Sequence, residues 1–121
     1  MPKPLVWKKL KSIGDEPNKR LGHTMVQIEK GMYVMFGGLD NKRTKGKVTP
    51  NNQVFTLKVN QKDEAIWIEN ICEGDEVPLP RTNHAACKIG KLKMFIFGGL
   101  YSSNQRLNDV HILKCVVGCK F

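Results

Sequence analysis

Met32-Tyr33-Val34-Met35-Phe36-Gly37-Gly38 is an apolar run closed by two glycines, and Lys93-Met94-Phe95-Ile96-Phe97-Gly98-Gly99 repeats that grammar 61 positions later. Arg20 and His23 recur as Arg81 and His84 with the same displacement. Trp7 and Trp67 lie 60 apart, as do Gly14-Asp15-Glu16 and Gly74-Asp75-Glu76, so one inserted residue between tripeptide and arginine reconciles the two spacings. Self-similarity at a fixed period marks a supersecondary unit that cannot bury its apolar faces alone and packs against others of its kind.

Within the first copy, Thr24, Val26 and Ile28 fall on one face of a short strand and Met25 and Gln27 on the other, with a turn at Glu29-Lys30-Gly31. The apolar run is too short for a typical helix and is bounded by glycine, which predicts a strand buried on both faces. The glycine pair marks a place where backbones pass closely or φ is positive. A polar loop, residues 39–51, leads to an alternating strand over 52–59 with Val54, Thr56 and Lys58 facing one way, and a last strand holds Ala65-Ile66-Trp67-Ile68-Glu69-Asn70-Ile71. The second copy repeats the order over 84–89, 92–97 and 108–113, with 8 residues between Gly99 and Asn108 against 13 between Gly38 and Asn52. Loops on a packed scaffold tolerate such a change. No Trp follows Leu113, whereas Leu5-Val6-Trp7-Lys8-Lys9-Leu10 reads as a tryptophan strand with no unit ahead of it. The expected organisation is all-β: a lone Trp-bearing strand in 1–13, a full unit in 14–72 and a unit lacking its Trp strand in 73–121.

These residues carry a resemblance. Trp7, Arg20, His23, Gly37, Gly38, Trp67, Arg81, His84, Gly98 and Gly99, with the Asn-Asp-Val strand of the second copy, resemble the kelch motif over nearly the whole chain, from Trp7 to Leu113. The resemblance implies two four-stranded antiparallel blades, the second incomplete, forming part of a β-propeller. More narrowly, Gly22-His23-Thr24, Gly46-Lys47-Val48-Thr49 and Pro80-Arg81-Thr82-Asn83-His84-Ala85-Ala86 are similar to the amino-terminal kelch region of the kelch-bearing serine/threonine phosphatases of plants and protists. A propeller needs roughly four to eight blades. The chain is therefore expected to be a piece of a longer protein, to complete a propeller by head-to-tail self-association, or to stand as an open pair of sheets with exposed edges.

Twenty basic against eleven acidic residues give a net charge of +9, which favours acidic partners. Lys8, Lys9 and Lys11 read as edge-strand charges that resist wrong pairing, while Lys42, Arg43, Lys45 and Lys47 crowd the long loop. Nucleic acid is disfavoured: there is no helix-turn-helix, no metal finger and no aromatic interleaved with the loop cations. Cys72, Cys87, Cys115 and Cys119 lack zinc-knuckle spacing, and Cys87 reads as a small core residue. With no signal peptide and no bilayer-length apolar run, a reducing cytoplasmic or nuclear setting is expected.

His23 and His84 occupy the same place in each copy, and a group needed once per unit is structural, since every unit needs the same internal hydrogen bonds. Arg20 and Arg81 follow the same logic as buried guanidiniums serving carbonyls between blades. His111 replaces Phe55 and reads as a packing residue, and the Gly-Asp-Glu segments read as turns. No catalytic residue, metal ligand or cofactor site is expected. The expected function is that of a non-catalytic interaction module, a scaffold or adaptor, binding an acidic protein surface or peptide through rim loops: Lys42, Arg43, Lys45, Lys47 and Asn51 from the first loop, Tyr101, Asn104 and Arg106 from the second, and the connection 73–79. In family terms the alternatives are the regulatory front of a larger phosphatase or the substrate-recruiting part of a ubiquitin ligase.

Overall fold

Short runs of alternating or apolar residues, punctuated by glycine, leave strands as the only regular structure. The computed structural model describes residues 2–115, and among them there are eleven strands and no helix. They are β1 (Lys11–Gly14), β2 (Arg20–Leu21), β3 (Thr24–Glu29), β4 (Met32–Phe36), β5 (Leu39–Thr44), β6 (Lys47–Pro50), β7 (Val54–Val59), β8 (Glu64–Asn70), β9 (Ala85–Lys88), β10 (Lys93–Ser102) and β11 (Gln105–Lys114). The first blade is β3, β4, β7 and β8 in antiparallel succession, with β1 added to β8 in parallel. The second blade is β9, β10 and β11. A small third sheet, β2-β5-β6, stands at the end of the first.

Two expectations change here. Residues 2–10 form no strand, and Trp7 is 98% exposed; the first strand begins only at Lys11, where parallel pairing with β8 starts. Both rim loops are β-hairpins: β5 and β6 turn at Lys45-Gly46, and β10 and β11 run on past the glycine pair to a turn at Ser103-Asn104. Polar side chains hide such extensions from a hydrophobic pattern, because neither face of a projecting ribbon is buried.

The core lies between the blades. Ile28, Met32, Val34, Phe36 and Val54 of the first blade pack on Met94 and Ile96 of the second, flanked by Val26, Ala86, Leu92 and Leu113. Full burial of one such side chain is worth about 1.5–3 kcal/mol. The period of two then dictates which residues are left out. The positions that face the second blade from the first reappear on the second blade's far side, so Phe36 is 4% exposed and its counterpart Phe97 46%. Cys87 follows the same rule. Its counterpart Val26 packs at the core, but Cys87 is exposed rather than the core residue the apolar pattern implies.

Each blade is clamped by its arginine. Arg81 is 0% exposed; it donates to the Leu79 and Gly98 carbonyls (3.0 Å each) and to both Asp109 oxygens (2.7 and 2.8 Å). Arg20 repeats this with the Asn18 and Gly37 carbonyls (3.1 Å each) and Gln53 Oε1 (3.1 Å), and its guanidinium lies 5.3 Å from the Phe55 ring centre. The side chains thus serve carbonyls of their own blades and of the segments leading into them, not carbonyls across the seam as expected. The seam is joined by main chain: Arg81 N–H to Asn51 O (3.1 Å), Gly38 N–H to Arg81 O (2.9 Å) and Asn83 N–H to Gly22 O (2.8 Å). The glycine pairs carry matching φ values, 71° and 99° in both blades, and a Cβ on Gly37 would stand 2.8 Å from Arg81 O. A side chain there would force the blades apart.

Replacing Arg81 with Met should cost about 3 kcal/mol, because the fully buried guanidinium's hydrogen bonds to two carbonyls and to the Asp109 carboxylate are lost together. Arg20→Met should cost about 1 kcal/mol, since the partly exposed Arg20 serves neutral acceptors. Urea unfolding midpoints would check the ranking, and equal losses would contradict it.

Candidate interaction surface

The β5–β6 hairpin is built by a tight turn in which Lys45 and Gly46 both take positive φ, 52° and 77°. Asp40 Oδ1 accepts from the Lys42 amide (2.9 Å) and Arg43 donates to Gly46 O (3.3 Å), fixing the ribbon locally. Lys42, Arg43, Lys45 and Lys47 are all exposed, and the described ion pairs lie elsewhere. Val48 adds an exposed apolar side chain to the same ribbon.

The second rim ribbon stands next to it, with β6 touching β10. Tyr101 is partly exposed and Asn104 and Arg106 exposed around its tip. The structure therefore brings the two loop clusters together on one rim. Asn51 differs from the others: it is half-buried at the hairpin base, where its Oδ1 accepts from the Gln53 amide (3.1 Å) and Arg20 (3.4 Å). It helps frame a polar hollow of about 360 Å³ with Asp40, Lys42, Thr49 and Gln53. The connection 73–79 reaches this rim only at its end, where Asn52 Nδ2 donates to Pro78 O (3.1 Å); residues 73–76 line a groove beside β11.

The titratable groups behind the rim belong to the scaffold. His84 is buried on the seam, its Nε2 hydrogen-bonded to Thr24 Oγ1 (2.6 Å) and its ring edge-on to Phe36 at 5.1 Å. Burial first, then the charge of Arg81 and the proximity of His23, pull its pKa down to about 4, so it is neutral at physiological pH. Its Nδ1 is buried without a partner among the described residues. Asp109 is held well below the usual carboxylate range, mainly by the Arg81 hydrogen bonds. Burial pushes the Cys72 thiol up, away from the reactive thiolate. Among the described residues no cluster of three His, Cys, Asp or Glu side chains is arranged to hold a metal.

Sequence reasoning missed Asp109. It is the acidic answer to Arg81, and the signal was available: Asp109 stands 56 positions after Gln53, as Val110 does after Val54, so the arginine's acceptor directly precedes the matching Val in both copies. His111, expected only to pack, hydrogen-bonds Asp109 Oδ2 (2.7 Å) and lines the groove. The first Gly-Asp-Glu segment is more than a turn: the Asp15 amide donates to Trp67 O and Asp15 Oδ2 accepts from the Glu69 amide, both at 3.0 Å.

Arginine-clamped antiparallel blades stacked face to face, with ribbons free at one rim, define a propeller-type repeat module. Residues 2–118 match the KLHDC2/KLHL20/DRC7 Kelch-repeats domain, and the chain belongs to the kelch-repeat family. It is 34% identical over 105 residues to the tRNA wybutosine-synthesizing protein 2/3/4 of Arabidopsis thaliana, covering 87% of this chain and 9% of that protein. It is 35% identical over 95 residues to dynein regulatory complex subunit 7 of Chlamydomonas reinhardtii (78% and 7%), and 31% over 101 residues to an F-box/kelch-repeat protein of Arabidopsis thaliana (80% and 20%). The chain thus spans a fifth or less of the length of these relatives. Kelch modules generally bind proteins.

The His84 geometry predicts a pH dependence. As pH falls from about 6.5 towards 4, the unfolded chain takes up a proton that the native seam refuses, so stability is lost across that window, by about 3 kcal/mol in full. Asp109 has the opposite chemistry but the same direction, its contribution being lost only below the ordinary carboxylate range. In chemical denaturation at stepped pH, His84→Gln should flatten the upper window and leave the lower one.

Proposed function

We propose that this chain is a non-catalytic interaction module whose rim ribbons hold an acidic protein segment. The observation that carries the reading is the β5–β6 hairpin: four exposed cations on a ribbon whose base is stitched to both blades through Asn51, Gly38 and Arg81. Such a base presents charge without the entropic cost of ordering a loose loop. The cations supply long-range attraction and orientation, while Tyr101 and Val48 offer apolar contact area. The scaffold role of both arginines and of His84 supports assigning recognition to the rim rather than chemistry to the repeats. The partner is a protein surface or peptide rich in Asp and Glu. The β5–β6 ribbon carries no aromatic among its four cations to stack on bases, which argues against nucleic acid.

Binding of a fluorescent peptide of alternating Glu and Ser would test this by anisotropy at low and moderate salt. Neutralising Lys42, Arg43, Lys45 and Lys47 together to Gln should weaken binding by about tenfold or more at low salt and flatten its salt dependence. Equal affinity of wild type and variant would overturn the assignment, as would a stronger preference for a single-stranded oligonucleotide of matching charge.

A further inference from the structure

The glycine pairs and both ribbons stand at one end of the blades, and at the opposite end the chain turns back three times. β3 turns into β4 at Lys30-Gly31, β7 into β8 over residues 60–63, and β9 into β10 over residues 89–92. Main-chain hydrogen bonds fix these turns. Val59 N–H to Gly31 O (3.1 Å) ties the first to the second, and Ile89 N–H to Lys93 O (3.0 Å) closes the third, in which Gly90 and Leu92 take positive φ, 62° and 55°. The Cys115 amide donates to Leu92 O (2.9 Å), which brings the end of β11 alongside.

Lysine dominates this end. Lys30, Lys58 and Lys62 stand on the first blade's turns. Lys88, Lys91, Lys93 and Lys114 stand at the matching end of the second. All seven are exposed, and none belongs to a described ion pair. Between Val77 and Cys115 the only acidic residue is Asp109, which Arg81 holds, so the second blade contributes four cations and no anion here. Of the first blade's acids at this end, Asp63 pairs with Lys8, Glu64 Oε1 accepts from Asn60 Nδ2 (2.9 Å), and Glu29 is exposed. Lys93 lies directly opposite Lys114 in the β10–β11 register. Like charges facing each other across a ladder are destabilising, a cost that a bound anion removes.

We propose that this lysine end is a docking surface for a bilayer rich in anionic lipid headgroups. The layout favours a plane over a line. Neighbouring strands are about 4.8 Å apart and stacked sheets about 10 Å, so cations on the turns of two blades spread in two dimensions. An extended peptide or a nucleic-acid backbone engages one row of them at a time. Every cation here is lysine, a compact point charge on a flexible stem with no demand for paired acceptors, which suits mobile headgroups. Arg20, Arg43, Arg81 and Arg106, the side chains built for fixed bidentate contacts, all lie elsewhere. The apolar residues of the third turn, Ile89 and Leu92, are partly buried, so the contact rests on charge and not on insertion. Each lysine brought within a Debye length of such a surface is worth about fivefold in affinity. Docking by this end points both rim ribbons away from the bilayer.

Cosedimentation with vesicles tests this, using pure phosphatidylcholine and a mixture of about three parts phosphatidylcholine to one of phosphatidylserine. Wild type should bind the mixed vesicles, ignore the neutral ones, and be released by high salt. Combining Lys30→Gln, Lys88→Gln, Lys91→Gln and Lys93→Gln should weaken binding by at least about tenfold; the four side chains are exposed, and the last change relieves the like-charge pair, so the fold is kept. Neutralising Lys42, Arg43, Lys45 and Lys47 removes the same charge from the other rim and should change vesicle binding by less than about threefold. The proposal is overturned if wild type sediments with neither vesicle, if the first variant binds as wild type does, or if both variants lose affinity equally. Stripping of the protein from the vesicles by a DNA duplex at matched phosphate concentration also overturns it. The rim assignment is read with a peptide and a different set of cations, so failure here leaves it standing.

Discussion

A guanidinium taken wholly out of water must have its donors met, and the Arg81 side chain sets the geometry around it for that reason. Its acceptors are the carbonyls of Leu79 and Gly98 and the Asp109 carboxylate, which come from the segment entering the blade, the middle of β10 and the middle of β11. One side chain therefore fixes where three segments meet. The main chain of the same residue joins the blades, accepting from Gly38 and donating to Asn51. The close approach this demands explains why the apolar strands end in two glycines, and the neutral, buried His84 seals the seam beside them.

Much of this was legible because the chain states it twice. The displacement of Arg, His and Gly-Gly identified the unit, and the two-residue period of Thr24, Val26 and Ile28 identified the face that meets the next blade. What escaped the pattern has physical causes. Hydrophobicity says nothing about a ribbon exposed on both faces, so the two hairpins read as loops. Cys87 has the period of a core residue, but burial depends on a covering blade and not on period alone. Residues 5–10 have strand composition, yet a strand exists only with a partner edge, and in the described residues their pairing begins at Lys11. The clip made by Asp15 and the acceptor role of Asp109 are one-residue polar contacts, visible only when both ends are located.

The arginines and glycine pairs, present in both copies, shape the blades and their seam, whereas the rim cations are present once. Lys42, Arg43, Lys45 and Lys47 have no counterparts in the shorter second ribbon, where Tyr101, Asn104 and Arg106 stand instead. A rigid repeated frame lets the rim vary without disturbing the seam, which is how one architecture can serve unrelated partners.

The seam also bears on how such a molecule can lengthen. Its two halves are written into every unit: the glycine end of one blade and the arginine entrance of the next. A genetic duplication cut anywhere within the period inherits both halves, so an added unit meets its neighbours through contacts already encoded. Growth by whole modules then needs no new interface to arise, whereas an insertion of any other length has to be absorbed in a hairpin.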